Sequence, residues 1–145
     1  MPVYTHILLA IDFSANTDTV TRRALEVGKL CDAKISLVHV VEFVQIDLSS
    51  ELVVPQELEL DQELLELADK RLKTLGEKYD IPESERFVSQ GSTRREILRV
   101  AQEQEVDLIV IGSHGRQGIQ LLLGSTANAI LHGAPCDVLA VRVRD

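Results

Sequence analysis

Four short apolar runs constrain what this chain can fold into. "HILLAI", "ISLVHVV", "DLIVIG" and "DVLAVRV" are rich in Val and Ile and too short for helices, and the first three are apolar on consecutive residues. A strand with one wet face alternates apolar and polar residues, whereas a strand covered on both faces of a parallel sheet does not. The segments between these runs carry a helical period. Val20, Ala24, Val27 and Cys31 recur at spacings of four, three and four, as do Ala68, Leu72, Leu75 and Tyr79, so each set makes one apolar stripe.

The element order follows: β1 (about 5–11), α1, β2 (about 34–41), α2, a weaker strand β3 in "ERFVSQ" (about 85–90), α3, β4 (about 106–112), α4 and β5 (about 137–143). Ser14 marks the start of α1, and Thr93 with Glu96 has the capping-box spacing before "ILRVA". Gly91 separates β3 from α3, and "GAPCD" stops α4 at Gly133 to Pro135. Strands alternating with right-handed crossover helices predict an α/β fold, a Rossmann-like doubly wound five-stranded parallel sheet of order 3-2-1-4-5 with helices on both faces. Ligands in such sheets bind beyond the carboxyl ends of the strands where the winding reverses, here between β1 and β4.

A chain of 145 residues, 45% of them hydrophobic, fits one domain spanning 1–145. Aromatic residues make up 3% and Trp is absent, which leaves no platform for stacked bases, and a formal charge of −8 repels a phosphate backbone. Nucleic acid is therefore not expected as a partner. No apolar run reaches the about 18 residues of a membrane span, and "MPVYTHILLAID" carries no basic leader, so the expected location is the cytoplasm, with no membrane association. Cys31 and Cys136 lack any CxxC or CxxH partner and read as reduced, apolar thiols rather than a metal or redox site.

Residues 42–57 fit neither period, the length of a lid, a binding segment or a disordered stretch. The acidic run from Glu57 to Asp69 reads as a solvated helix face, because Glu66 with Lys70 and Asp69 with Lys73 stand at i,i+4.

The stretch "VIGSHGRQGIQLLLGST" (110–126) carries the chemistry. Gly112 closes β4, Gly115 and Gly118 follow, and Gly124 precedes Ser125 and Thr126 where α4 is expected to start. Glycines let the backbone approach a ligand closely, and a helix N-terminus favours an anion, to which the two hydroxyls can add donors. Two readings stand at this point: a phosphate cradle, or a tight turn with Ser125 as a plain cap. The stretch contains no lysine and matches neither GxxxxGK[ST] nor GxGxxG, so a Lys-assisted transfer mechanism is not supported.

"HILLAIDFS", "ISLVHVV", "DLIVIGSHGRQGIQLLLGST" and "APCDVLAVRV" together resemble the universal stress protein family, from about residue 4 to residue 144. In its nucleotide-binding branch the pattern is GxxG, nine residues, then Gly and Ser or Thr. Gly112 and Gly115 match the first part and Gly124 with Ser125 the second, with eight residues, Arg116 to Leu123, between them. The resemblance implies an ATP site, with or without Mg2+. It would be formed by Ala10 and Asp12 at the end of β1, the Val40 backbone at the adenine edge, and Ile111, Gly112, Ser113, His114, Gly115, Arg116, Gly124, Ser125 and Thr126 around ribose and phosphates.

Read as single residues, Asp12 either binds ribose hydroxyls or a metal, or caps α1 in place of Ser14. Arg116 is the one cation in the stretch and either offsets triphosphate charge or is simply solvated. His114 has no nucleophile or orienting acid near it in sequence, so no catalytic residue and no metal ligand is assigned. His39, inside an apolar strand, reads as a satisfied core histidine. The expected function is a stress-response module that binds ATP and acts through its bound state. The alternatives are a nucleotide-free dimeric stress protein working through partners, and a slow ATP-hydrolysing enzyme. The last is disfavoured by the absence of glycine in "AIDFSAN" after β1. As an edge in the expected order, β5 also predicts a homodimer through 137–143, the mode that the resemblance implies as well.

Overall fold

A computed structural model describes residues 3–42, 55–113 and 125–143, with backbone alone at 55–59 and 125. Its strands are β1 (His6–Ala10), β2 (Lys34–Val41), β3 (Arg86–Gln90), β4 (Leu108–Gly112) and β5 (Asp137–Val141). The helices are α1 (Thr17–Cys31), α2 (Pro55–Lys78), α3 (Thr93–Glu103) and α4 (Ser125–Gly133), with one 3-10 turn at Glu83–Glu85 before β3. All neighbouring strands pair parallel, in the order β3-β2-β1-β4-β5, as the alternation of elements predicts.

The unbroken apolar runs divide by parity onto two faces. On one face Ile7, Leu9, Leu37, Leu108, Val110 and Val141 pack with Val20 and Ala24 of α1 and Leu72 and Leu75 of α2. On the other, Leu8, Val38, Ile109 and Ile111 pack with Ile97 and Val100 of α3 and Ala127 and Ile130 of α4. Each central strand is thus buried on both sides, which is why its sequence does not alternate.

Several local expectations change. Pro55 opens α2, a position where its missing N–H costs nothing, so the irregular stretch ends three residues sooner than its pattern indicates. The capping box at α3 does not form: Ser92 is the N-cap residue, Thr93 donates instead to Glu42 at 2.6 Å, and the Glu96 carboxylate is taken by Ser89 and Arg99. α1 begins at Thr17 rather than beside Ser14, whose carbonyl accepts the Thr17 N–H at 3.1 Å. Glu66, Asp69, Lys70 and Lys73 all lie on the exposed side of α2, and both cysteines are free and half-buried.

Candidate functional site

β1 pairs with β2 on one side and β4 on the other, and the chain winds outward from this pair in both directions. The switch point therefore lies at the carboxyl ends of β1 and β4. Leu9 is level with Val110 and Ala10 with Val38. Continued along the strands, this register brings Ala10–Asp12, Val40 and Ile111–Ser113 to one edge of the sheet. α4, which follows β4, presents its N-terminal turn with Ser125 and Thr126 at the same edge, because β4 and β5 run parallel on either side of it.

The side chains at this edge have distinct roles. Val40 and Ile111 are buried in the core, so only their backbones are open to a ligand, and Ala10 is half-buried against the same cluster. Ser113 is buried; its N–H donates to the Val141 carbonyl at 2.8 Å and its Oγ accepts the Val143 N–H at 3.2 Å. These bonds fasten β4 to β5, leaving the hydroxyl proton and the carbonyl as what Ser113 can offer. Thr126 is exposed in the first turn of α4. His114, Gly115, Arg116 and Gly124 lie outside the described residues, as does most of the irregular stretch 42–57.

After β1 the backbone turns sharply. The Asp12 Oδ1 accepts the Ser14 N–H at 2.9 Å and the Ser14 Oγ accepts the Asn16 N–H at 3.3 Å, so this carboxylate shapes the turn into α1. Between them Phe13 sits at φ 56°, a left-handed conformation that costs a non-glycine residue energy and is held only where its surroundings demand it. The ring of Phe13 lies 4.5 Å from that of His39, and the Arg71 guanidinium of α2 stands 5.7 Å from the Phe13 centroid. The His39 Nδ1 pairs with the Ile11 carbonyl at 2.7 Å, which satisfies this strand histidine as expected. The Phe13, His39 and Arg71 cluster, with its two rings tilted at 59°, is the feature that sequence reasoning missed. No periodicity marks it, because its members come from three elements far apart in the chain.

Among the described residues no cluster of three or more His, Cys, Asp or Glu side chains has the arrangement to hold a metal ion. Among the same residues no helix is long and apolar enough to cross a membrane. What this edge offers chemically is backbone at Ile111–Gly112, a carboxylate at Asp12 and a helix N-terminus, a set suited to holding a nucleoside and an anion.

The model of the universal stress protein family matches residues 3–142. Universal stress protein A homolog 2 of Coxiella burnetii is 41% identical over 145 residues, covering 99% of each chain. Among solved structures, universal stress protein UspA from Lactobacillus plantarum superposes with a TM-score of 0.82 at 24% identity, covering 96% of this chain and 98% of that one. A universal stress protein crystallised in complex with cAMP superposes at 0.59 with 20% identity, covering 96% and 97%. With this sheet order, this switch point and a match along nearly its whole length, the chain belongs to the universal stress protein family.

Proposed function

We propose that the protein binds an adenine nucleotide, ATP, at the carboxyl edge of β1 and β4 and acts in the stress response as a nucleotide-dependent binding or signalling module. The observation that carries this reading is the meeting of Gly112, the Asp12 turn and the N-terminus of α4 at the switch point. The cAMP complex of a family member supports it, since that protein takes an adenine nucleotide on a similar fold. Asp12 and the Val40 backbone would meet the nucleoside, and Ile111–Gly115 with Gly124–Thr126 the ribose and phosphates. The segment 110–126 has no lysine to stabilise a departing phosphate, so turnover stays well below the roughly 10 per second of a dedicated enzyme.

Ligand at about 100 times its dissociation constant adds roughly 2.7 kcal/mol of stability, several degrees of melting temperature in a domain this size. Millimolar Mg-ATP is expected to produce that shift, and Gly115→Val to abolish it while leaving the unliganded melting temperature in place. No shift, together with no nucleotide released on denaturing the purified protein, would replace this reading by the nucleotide-free one.

We also propose a homodimer through β5. It is an edge of the sheet, and Val138, Leu139 and Ala140 are only half-buried in the single chain.

A further inference from the structure

At the opposite edge of the sheet, where the strands begin, a buried chain of polar contacts joins four segments. His6 opens β1, and its Nδ1 lies 3.1 Å from the Gln104 carbonyl after α3. Its Nε2 lies 2.6 Å from the Ser36 Oγ on β2. The same Oγ lies 2.5 Å from Glu85 Oε2, at the end of the 3-10 turn. Lys34 Nζ stands 3.4 Å from the other Glu85 oxygen. Ser36 is fully buried and His6 is 7% exposed, so no substrate reaches the hydroxyl and nucleophilic chemistry is excluded.

The protons of this chain can be counted. Three contacts between electronegative atoms need three protons, one in each. A neutral imidazole supplies one, the Ser36 hydroxyl a second, and an ionised Glu85 none. With Nδ1–H directed at the Gln104 carbonyl, the single hydroxyl proton faces two acceptors, Nε2 and the carboxylate. One short contact then sets lone pair against lone pair. A third proton on Nε2 completes the set: Nδ1–H to Gln104, Nε2–H to Ser36, and Ser36 O–H to Glu85.

We infer that His6, Ser36 and Glu85 form a proton-operated clasp at the strand-start edge, one proton short at neutral pH and completed by acidification. The step adds one proton from water to Nε2 and turns the Ser36 hydroxyl from His6 to Glu85. Glu85 and Lys34 also line a cleft of about 260 Å3 with Leu25, Ile35, Tyr79 and Ile81, so the Glu85 end of the chain meets solvent. Completion closes all three contacts among the 3-10 turn, β1 and β2, but the buried imidazolium beside Lys34 makes the protonated fold the less stable one.

The groups facing the ring set the pH at which this happens. Burial, and then the Lys34 ammonium, push the His6 imidazolium below its ordinary value, against the Gln104 carbonyl and the carboxylates of Glu85 and Asp107. The unfolded chain therefore binds this proton at higher pH than the folded one. The His6 contribution to stability is full above about pH 6.5 and is lost as pH falls through the folded midpoint.

Titration of 15N-labelled histidine by NMR, with His6 assigned by His6→Gln, tests the clasp. The expected result is an Nδ1–H tautomer at pH 8 and a midpoint below about 6.5. Glu85→Gln brings an amide N–H that can donate to Ser36, so the three contacts close around a neutral ring, and the midpoint drops by a further unit or so, about tenfold in proton affinity. Ser36→Ala separates the clasp from plain charge attraction. It leaves the Glu85 carboxylate in place, so attraction alone predicts an unchanged or raised midpoint, whereas loss of the relay predicts a lower one. An Nε2–H tautomer at pH 8, or a midpoint that Ser36→Ala does not lower, would overturn the inference, including where Glu85→Gln fails to fold.

Discussion

Gly76 lies on the buried side of α2, where an added methyl carbon would stand 2.9 Å from both Cδ and Cζ of Arg86. That guanidinium is not free to move away, because its Nε donates to the Ile81 carbonyl at 2.9 Å and so helps close the end of the helix. Two effects of Gly76→Ala oppose one another. Alanine favours a helix interior by roughly 0.5–1 kcal/mol, and a hydrogen bond from a charged donor is worth about 1.5–3. The bond outweighs the propensity, so Gly76→Ala is expected to destabilise the protein by about 1 kcal/mol in urea unfolding. In an Arg86→Ala background the same change should become stabilising, since nothing then occupies the space. Asp107 shows the same dependence on named partners. Burial pushes its carboxyl up, but the N–H groups of Thr5 and His6 and the Thr5 hydroxyl bind the ionised form and hold it below its ordinary value.

Among the described residues, three of the four helices end in one way. Asp32, Asp80 and Glu105 take φ of 55°, 57° and 53°, and the next residues, Ala33, Ile81 and Val106, donate their N–H back to the carbonyls of Gly28, Gly76 and Ala101. This is the left-handed helix stop usually built on glycine, carried here by acidic side chains. It leaves no mark in the sequence of the kind Gly133 leaves at α4, so the ends of α1, α2 and α3 were illegible where that of α4 was plain. A left-handed residue costs roughly 1–2 kcal/mol, and glycine returns part of the gain by loosening the unfolded chain. Glu105 is exposed and makes no contribution to the core, so Glu105→Gly is expected to stabilise by about 0.5–1 kcal/mol, roughly 2–3 °C in melting temperature. Glu105→Val, β-branched at the same φ, should destabilise.

For the whole molecule the proposed dimer turns on the outer edge of β5. The Val141 carbonyl accepts from Ser113, so both backbone groups of Val141 face β4, and the outward groups are those of its strand neighbours Ala140 and Val138. Proline at 141 would therefore break the sheet, whereas proline at 140 would remove a donor only from the outer edge. Sedimentation at micromolar concentration is expected to give a dimer for the native chain and a folded monomer for Ala140→Pro. A native monomer of 16.1 kDa would discard the dimer and leave the nucleotide site untouched.

The unbroken Val and Ile runs determined the parallel sheet by themselves, because burial on both faces removes the polar half of a strand's pattern. The order of elements likewise determined that the carboxyl ends of β1 and β4 meet at the switch point, since the winding places them side by side wherever this order folds. Tertiary structure alone decided the rest. The Phe13, His39 and Arg71 cluster and the His6, Ser36, Glu85 chain draw residues from positions as far apart as 13 and 71, or 6 and 85. Their chemistry depends on distances of a few ångströms, which no local pattern encodes: His6, uninformative as a letter in an apolar strand, acquires its proton balance only from what the fold sets against its two nitrogens.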